Sequence, residues 1–214
     1  MEYATIGHLT WPFTTVAYEL MSGYKKAMKA GLVEWGVADS GLYLIAYFMS
    51  GLPLSVFETD SWIFIQQMAE FDNHIHRPVC EVYLQVALNL MGEANTEEPF
   101  NLEGKALEDY NVSSFLNGTL EQFPVQVGWF AKLVLAYYFG NYEIAEEMAS
   151  RYEDTNAAEW PLVWAVPHPY FRALAYLAMA RKLKSAKGNV KAKSSSSLFL
   201  FSRQVPESER GYDR

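Results

Sequence analysis

Residues Trp129–Tyr152 read WFAKLVLAYYFGNYEIAEEMASRY, and this stretch decides the fold. Apolar residues recur at helical spacing on both sides of the Phe139–Asn141 break. They are Phe130, Leu133, Val134, Tyr137 and Tyr138 before the break, and Ile144, Ala145, Met148 and Ala149 after it. The stretch therefore predicts two antiparallel helices joined by a tight turn.

The same kind of helix ending recurs along the chain. Three predicted helices end in an apolar run followed by a glycine, at Gly51, Gly92 and Gly140. Their spacings of 41 and 48 residues exceed the roughly 34 residues of a tetratricopeptide repeat. The last unit fits that repeat best, with Trp129 before the glycine and Tyr142 and Ala145 after it. We predict an irregular tetratricopeptide-like α-α superhelix, with an ordinary bundle whose glycines are simple C-caps as the alternative.

Periodicity over the rest of the chain predicts an all-α protein of about seven helices. The acidic stretch Glu93–Asn111 loses the helical period and predicts a long loop with one short turn at Lys105–Asp109. The predicted helices cover about 12–30, 33–50, 54–71, 76–91, 120–140, 142–154 and 161–183, with alternative starts at 124 for the fifth and 167 for the last.

The composition changes near residue 184. Lysines 184, 187, 191 and 193 lead into four serines, Ser194–Ser197, and then into Leu198–Phe201. We predict a helical repeat domain over residues 1–183 and a basic, Ser-rich, disordered tail over 184–214.

Composition and charge restrict the function. Half of the 214 residues are hydrophobic, which is enough for a sizeable core. The net charge of −8 argues against nucleic-acid binding, which needs a basic face. A lone cysteine cannot form an internal disulfide, the N-terminus lacks signal-peptide features, and no apolar run is long enough to span a membrane. These features predict a cytoplasmic protein.

No catalytic motif is present, because the chain lacks phosphate-binding glycine loops and kinase signatures. We therefore predict a non-enzyme with no catalytic residue, cofactor, metal or evident small-molecule substrate. His74, His76 and Cys80 are metal-ligand types, but a zinc site needs a third or fourth well-placed ligand. His168 stands between two prolines. It is either a general base at the start of a helix or simply a residue of a rigid turn. A pocket near His168 or near His74–Cys80, in an enzymatic or ligand-binding helical domain, is the alternative function.

Aromatic residues are frequent, and most of them predict core packing. Some are candidates for lining an apolar groove that binds a protein partner. These candidates are Tyr43, Tyr47, Trp62, Trp129 and Tyr137.

Several segments resemble the tetratricopeptide-like helical region of large multidomain signalling proteins. Those proteins join it to a serine/threonine kinase-like domain, an AAA-type predicted ATPase and often GAF and histidine-kinase domains. The resemblance covers residues 12–183, and its segments are Gly23–Leu54, Tyr83–Gly92, Trp129–Tyr152 with KLVLAYYFGNY at Lys132–Tyr142, and Val166–Ala178. It implies a scaffold or linker in signalling, as a fragment or a stand-alone descendant, without that family's catalytic sites.

Overall fold

The computed structural model describes residues 10–94, 96–107, 122–153 and 167–201. These ranges contain seven α-helices, one short 3-10 helix at Lys105–Leu107 and no strand. The predicted all-α fold class is thereby confirmed. The helices are α1 Phe13–Lys29, α2 Val33–Met49, α3 Leu54–Glu70, α4 His76–Met91, α5 Gln122–Tyr138, α6 Tyr142–Glu153 and α7 Pro167–Phe201.

The hairpin predicted from Trp129–Tyr152 is formed by α5 and α6. Gly140 takes a left-handed conformation (φ +77°), and its N–H donates to the Tyr137 carbonyl. The Asn141 N–H reaches back to the Ala136 carbonyl at 2.8 Å, which completes a Schellman ending. The Asn141 side chain then accepts from the Ile144 N–H and caps α6. Gly140 and Asn141 therefore stop one helix and start the next.

The helices pack in chain order as a stack of hairpins. α1 packs on α2, α2 on α3, α3 on α4, and α5 on α6. Connections of three to five residues turn the chain back at each of these steps. α2 also packs against α4, and α4 against α5, so that α4 joins the earlier helices to the later hairpin. This packing of sequential helices is the arrangement expected of an α-α stack.

α4 is the most enclosed helix of the described structure. Every residue from Val79 to Asn89 is buried, so this part of the helix has no solvent face. A helix that is buried all round needs hydrogen-bond partners for any polar side chain it carries. Three such residues are spaced four apart along α4: Glu81, Gln85 and Asn89.

Gln85 and Asn89 bind the backbone of the segment that follows α4. The Asn89 amide donates to the Pro99 carbonyl at 2.9 Å and also to the Asn101 carbonyl. The Gln85 amide donates to the Glu103 carbonyl at 2.9 Å and to the Asn89 side chain at 2.8 Å.

The Gln85 oxygen completes this network by accepting from the Ala106 N–H at 3.0 Å. Gly104 must be glycine at this point, because its φ is +142° and a Cβ would lie 2.7 Å from the Gln85 nitrogen. The region predicted as a loop is therefore held against α4, and its predicted helical turn is present at Lys105–Leu107.

The chain divides into two compact units, Met1–Ala175 and Tyr176–Arg214. The sequence pattern predicted the end of the last helix near Leu183, whereas the backbone of α7 is helical to Phe201. Residues 202–214 of the predicted tail lie outside the described residues. Among the described helices, none combines the length and the apolarity that crossing a bilayer requires.

The amide network predicts a specific destabilisation. Gln85→Leu should lower the free energy of unfolding by about 2–4 kcal/mol, because it leaves the Glu103 carbonyl and the Ala106 N–H buried without partners. Urea denaturation followed by circular dichroism measures this change. Gln66→Leu, the same change at an exposed position of α3, should shift stability by less than about 0.5 kcal/mol. Equal effects of the two substitutions would contradict the network's importance.

Candidate functional site

An apolar cleft of about 480 Å³ is the candidate binding site of the first unit. Its walls come from the ends of helices rather than from their middles. The lining residues are Phe13 of α1, Phe48 and Met49 of α2, Gly51, Leu52 and Leu54 around the start of α3, Leu90 of α4, Tyr138 of α5, and Pro167, Tyr170 and Phe171 of α7.

The cleft lies where the glycine-terminated helices stop. Phe48 and Met49 precede Gly51, Leu90 precedes Gly92, and Tyr138 precedes Gly140. The apolar runs that indicated a repeat in the sequence therefore supply one wall residue or more from each of three helices. This signal could have located the site, because repeated helix endings on one side of a stack bring their last apolar residues together.

The residues that line the cleft carry no charge. None of its lining residues is ionised at neutral pH, and its side-chain polar groups are the hydroxyls of Tyr138 and Tyr170. Burial, with smaller contributions from Tyr170 and Tyr137, raises the pKa of Tyr138 above its ordinary value. The Tyr138 hydroxyl therefore stays neutral and can donate or accept a hydrogen bond.

The cleft has an accessible rim and a packed wall. Tyr138 and Tyr170 are each 59% exposed, and Leu52 is 37% exposed. Phe171 is buried and makes edge-to-face contacts with both tyrosines, with ring centroids 5.9 Å from Tyr138 and 5.5 Å from Tyr170. Aromatic pairs in this geometry are stabilising and orient one another. Phe171 thus positions the two rim tyrosines.

Two of the predicted groove residues lie in the core. Tyr43 and Tyr47 are buried and contact each other edge-to-face, with ring centroids 5.7 Å apart. The Tyr43 hydroxyl donates to Asp60 at 2.6 Å, which ties α2 to α3. Burial and the bond to Asp60 raise the pKa of Tyr43. Both tyrosines therefore hold helices together, and neither lines the cleft.

The other three predicted groove residues are partly buried and are not part of the cleft lining. Trp62 lies under the ammonium of Lys105, 5.2 Å from the ring centroid, so it helps to hold the segment after α4. Trp129 packs against the core. Tyr137 makes an edge-to-face contact with Phe171 of the cleft wall, with ring centroids 5.9 Å apart.

His168 is a buried, neutral packing residue in the structure. Its ring stacks on the Tyr152 ring, with centroids 3.9 Å apart. The centroids of the His168 and Phe130 rings are 6.3 Å apart. Burial lowers the pKa of His168 to about 4, against the opposing effect of a hydrogen bond with the Ala149 backbone. Its Nε2 has no hydrogen-bond partner within the described part of the chain. The residue is only 5% exposed, so a substrate has little access to it.

His74, His76 and Cys80 do not converge. His74 is exposed and pairs with Asp72 at 2.8 Å, whereas the thiol of Cys80 is buried. His76 is partly buried: its backbone N–H donates to Asn73 at 2.8 Å, and burial lowers the pKa of its ring. Burial also raises the pKa of Cys80, which disfavours the thiolate needed for metal binding. In the described ranges, no group of three or more His, Cys, Asp or Glu residues is arranged to hold a metal ion.

Comparisons of the chain with protein-family models, with curated proteins and with solved structures found no match. The function of the chain is therefore inferred from its residues and their geometry.

The buried state of His168 predicts a pH dependence of stability. A folded-state pKa of about 4, below the ordinary value of 6.5, means that unfolding takes up a proton between these two pH values. The free energy of unfolding therefore keeps this histidine's full contribution above pH 6.5 and loses it as pH falls towards 4. His168→Phe should reduce the drop in unfolding free energy between about pH 7 and pH 5 by about 1–2 kcal/mol.

Urea denaturation at the two pH values measures this drop. His74→Phe is the matched control, because it makes the same substitution at an exposed histidine. An unaltered drop in the His168→Phe protein would show that this imidazole is not buried as described.

Proposed function

We propose that this chain is a non-catalytic helical-repeat module that binds a protein partner by taking apolar side chains of the partner into the cleft. The observation that carries this proposal is the uncharged lining of the cleft together with its exposed rim at Leu52, Tyr138 and Tyr170. Aromatic residues and methionine, which supply most of the large side chains of this lining, are enriched at protein interfaces, and tyrosine is a frequent anchor residue.

The chemistry of the lining favours a neutral, apolar occupant. A charged ligand would lose its hydration in the cleft without gaining a counter-charge from the lining residues. Leucine, methionine and phenylalanine side chains carry no such cost. The two tyrosine hydroxyls can additionally bond a backbone amide of the partner.

The placement of the reactive side chains supports binding rather than catalysis. His168 is stacked and buried, and Cys80 is enclosed in the core. Neither residue lines the cleft, so the apolar site and the residues with catalytic potential are separate.

The wider role is proposed from the resemblance of residues 12–183 to the helical region of large signalling proteins. In those proteins the region accompanies kinase-like and ATPase domains. We propose a scaffold or linker role in cytoplasmic signalling for this chain, with the cleft as its contact point.

A peptide-display selection tests the binding role. Peptides selected on the intact chain should carry apolar anchors and bind Leu52→Asp or Tyr170→Ala protein at least about tenfold more weakly. Fluorescence anisotropy measures these affinities. Leu32→Asp and Tyr18→Ala are matched controls, because both residues are exposed and lie outside the cleft.

The control variants should bind the selected peptides as the intact chain does. If the selection recovers no apolar peptide, or if the peptides bind all four variants equally, the proposed function is wrong.

A further inference from the structure

The charges of the two units are opposite. Tyr176–Arg214 contains nine Lys and Arg residues and three Asp and Glu residues, for a net charge of +6. Since the whole chain carries −8, the remaining 175 residues carry −14. Such segregation favours the approach of the basic unit of one molecule to the acidic unit of another.

The helix of the basic unit ends in four apolar residues, Leu198–Phe201, which we call the apolar end. Tyr176–Phe201 is continuous helix, about 38 Å long at the usual rise per residue. It contains six cations and no acidic residue, and it ends in Leu198-Phe199-Leu200-Phe201. The cations lie between Arg181 and Lys193, and the four apolar residues Leu198–Phe201 end the helix.

The cleft of the first unit has the complementary properties. It is apolar, its volume of about 480 Å³ is large enough for several leucine or phenylalanine side chains, and it has an open rim. Acidic residues follow its lining residues closely, since Glu58 lies one turn after Leu54 and Glu93 lies three residues after Leu90. An apolar segment preceded by cations therefore matches both the cleft and its acidic neighbours.

We infer that the occupant of the cleft is a second copy of this chain, which inserts Leu198–Phe201 and places its lysines against acidic residues of the first unit. This inference rests on the proposed function and names the partner. The contact is heterologous, because the surface used on one copy differs from the surface used on the other. In the dimer the inserting copy keeps an unused cleft and the receiving copy keeps an unused apolar end, so association continues beyond the dimer.

Analytical ultracentrifugation of the full chain tests this inference. The intact protein should form dimers and larger species as its concentration rises, and the association should weaken about tenfold between about 50 mM and 500 mM NaCl. The end variant, with Ser replacing each residue of Leu198–Phe201, and the cleft variant, Leu52→Asp, should each be monomeric. Leu32→Asp should associate as the intact chain does.

Mixing the two defective proteins gives the sharpest outcome. The end variant still has an intact cleft, and the cleft variant still has an intact apolar end. Their mixture should therefore form one-to-one dimers and nothing larger. A reciprocal two-fold contact would end association at the dimer. The absence of mixed dimers, or an intact chain that stays monomeric or stops at the dimer at every concentration, therefore overturns the inference.

Failure here is distinguishable from failure of the proposed function. If selected apolar peptides require Leu52 and Tyr170 but the chain does not self-associate, the cleft binds a protein segment other than Leu198–Phe201. That result overturns the second-copy inference and leaves the proposed function standing.

Discussion

The side-chain amides of Gln85 and Asn89 bind the backbone of the segment that follows α4, and the rest of the first unit depends on this contact. α4 is buried on all sides from Val79 to Asn89, packs against α2, α3 and α5, and ends next to the cleft at Leu90. An apolar helix in that position could be enclosed by side chains alone. The amides add a geometric requirement, because each bond has one donor and one acceptor position. They therefore hold an otherwise irregular segment in one conformation against the centre of the stack.

The cleft follows from where the helices end. α2, α4 and α5 each finish in apolar residues just before a glycine, and short connections join α2 to α3 and α3 to α4. The first turn of α7 closes the site with Tyr170 and Phe171. The cleft is thus formed by residues that packing leaves partly uncovered at the edge of the core. The titratable residues that first draw attention in the sequence, His168 and Cys80, are used for packing instead.

Much of the fold could be predicted from the sequence, because helical period and glycine stops are local signals. The α5–α6 hairpin and the bounds of α4 follow from such signals alone. The cleft could not be predicted residue by residue, because it joins helices far apart in the chain. Tyr43 has the same residue type as Tyr138, yet a bond to Asp60 holds it in the core. The attachment of residues 99–106 to α4 was also not predicted, although two amides four residues apart on an apolar helix were a visible signal.

Hydrogen–deuterium exchange of the Ala106 amide tests the central claim most directly. This N–H lies outside the long helices, and it is bonded to the buried Gln85 oxygen. If the amides of α4 hold the segment, the Ala106 amide exchanges orders of magnitude more slowly than the amide of exposed Glu97, at a rate approaching that of the α4 backbone. Exchange of the Ala106 amide at the rate of an unprotected peptide would contradict the account.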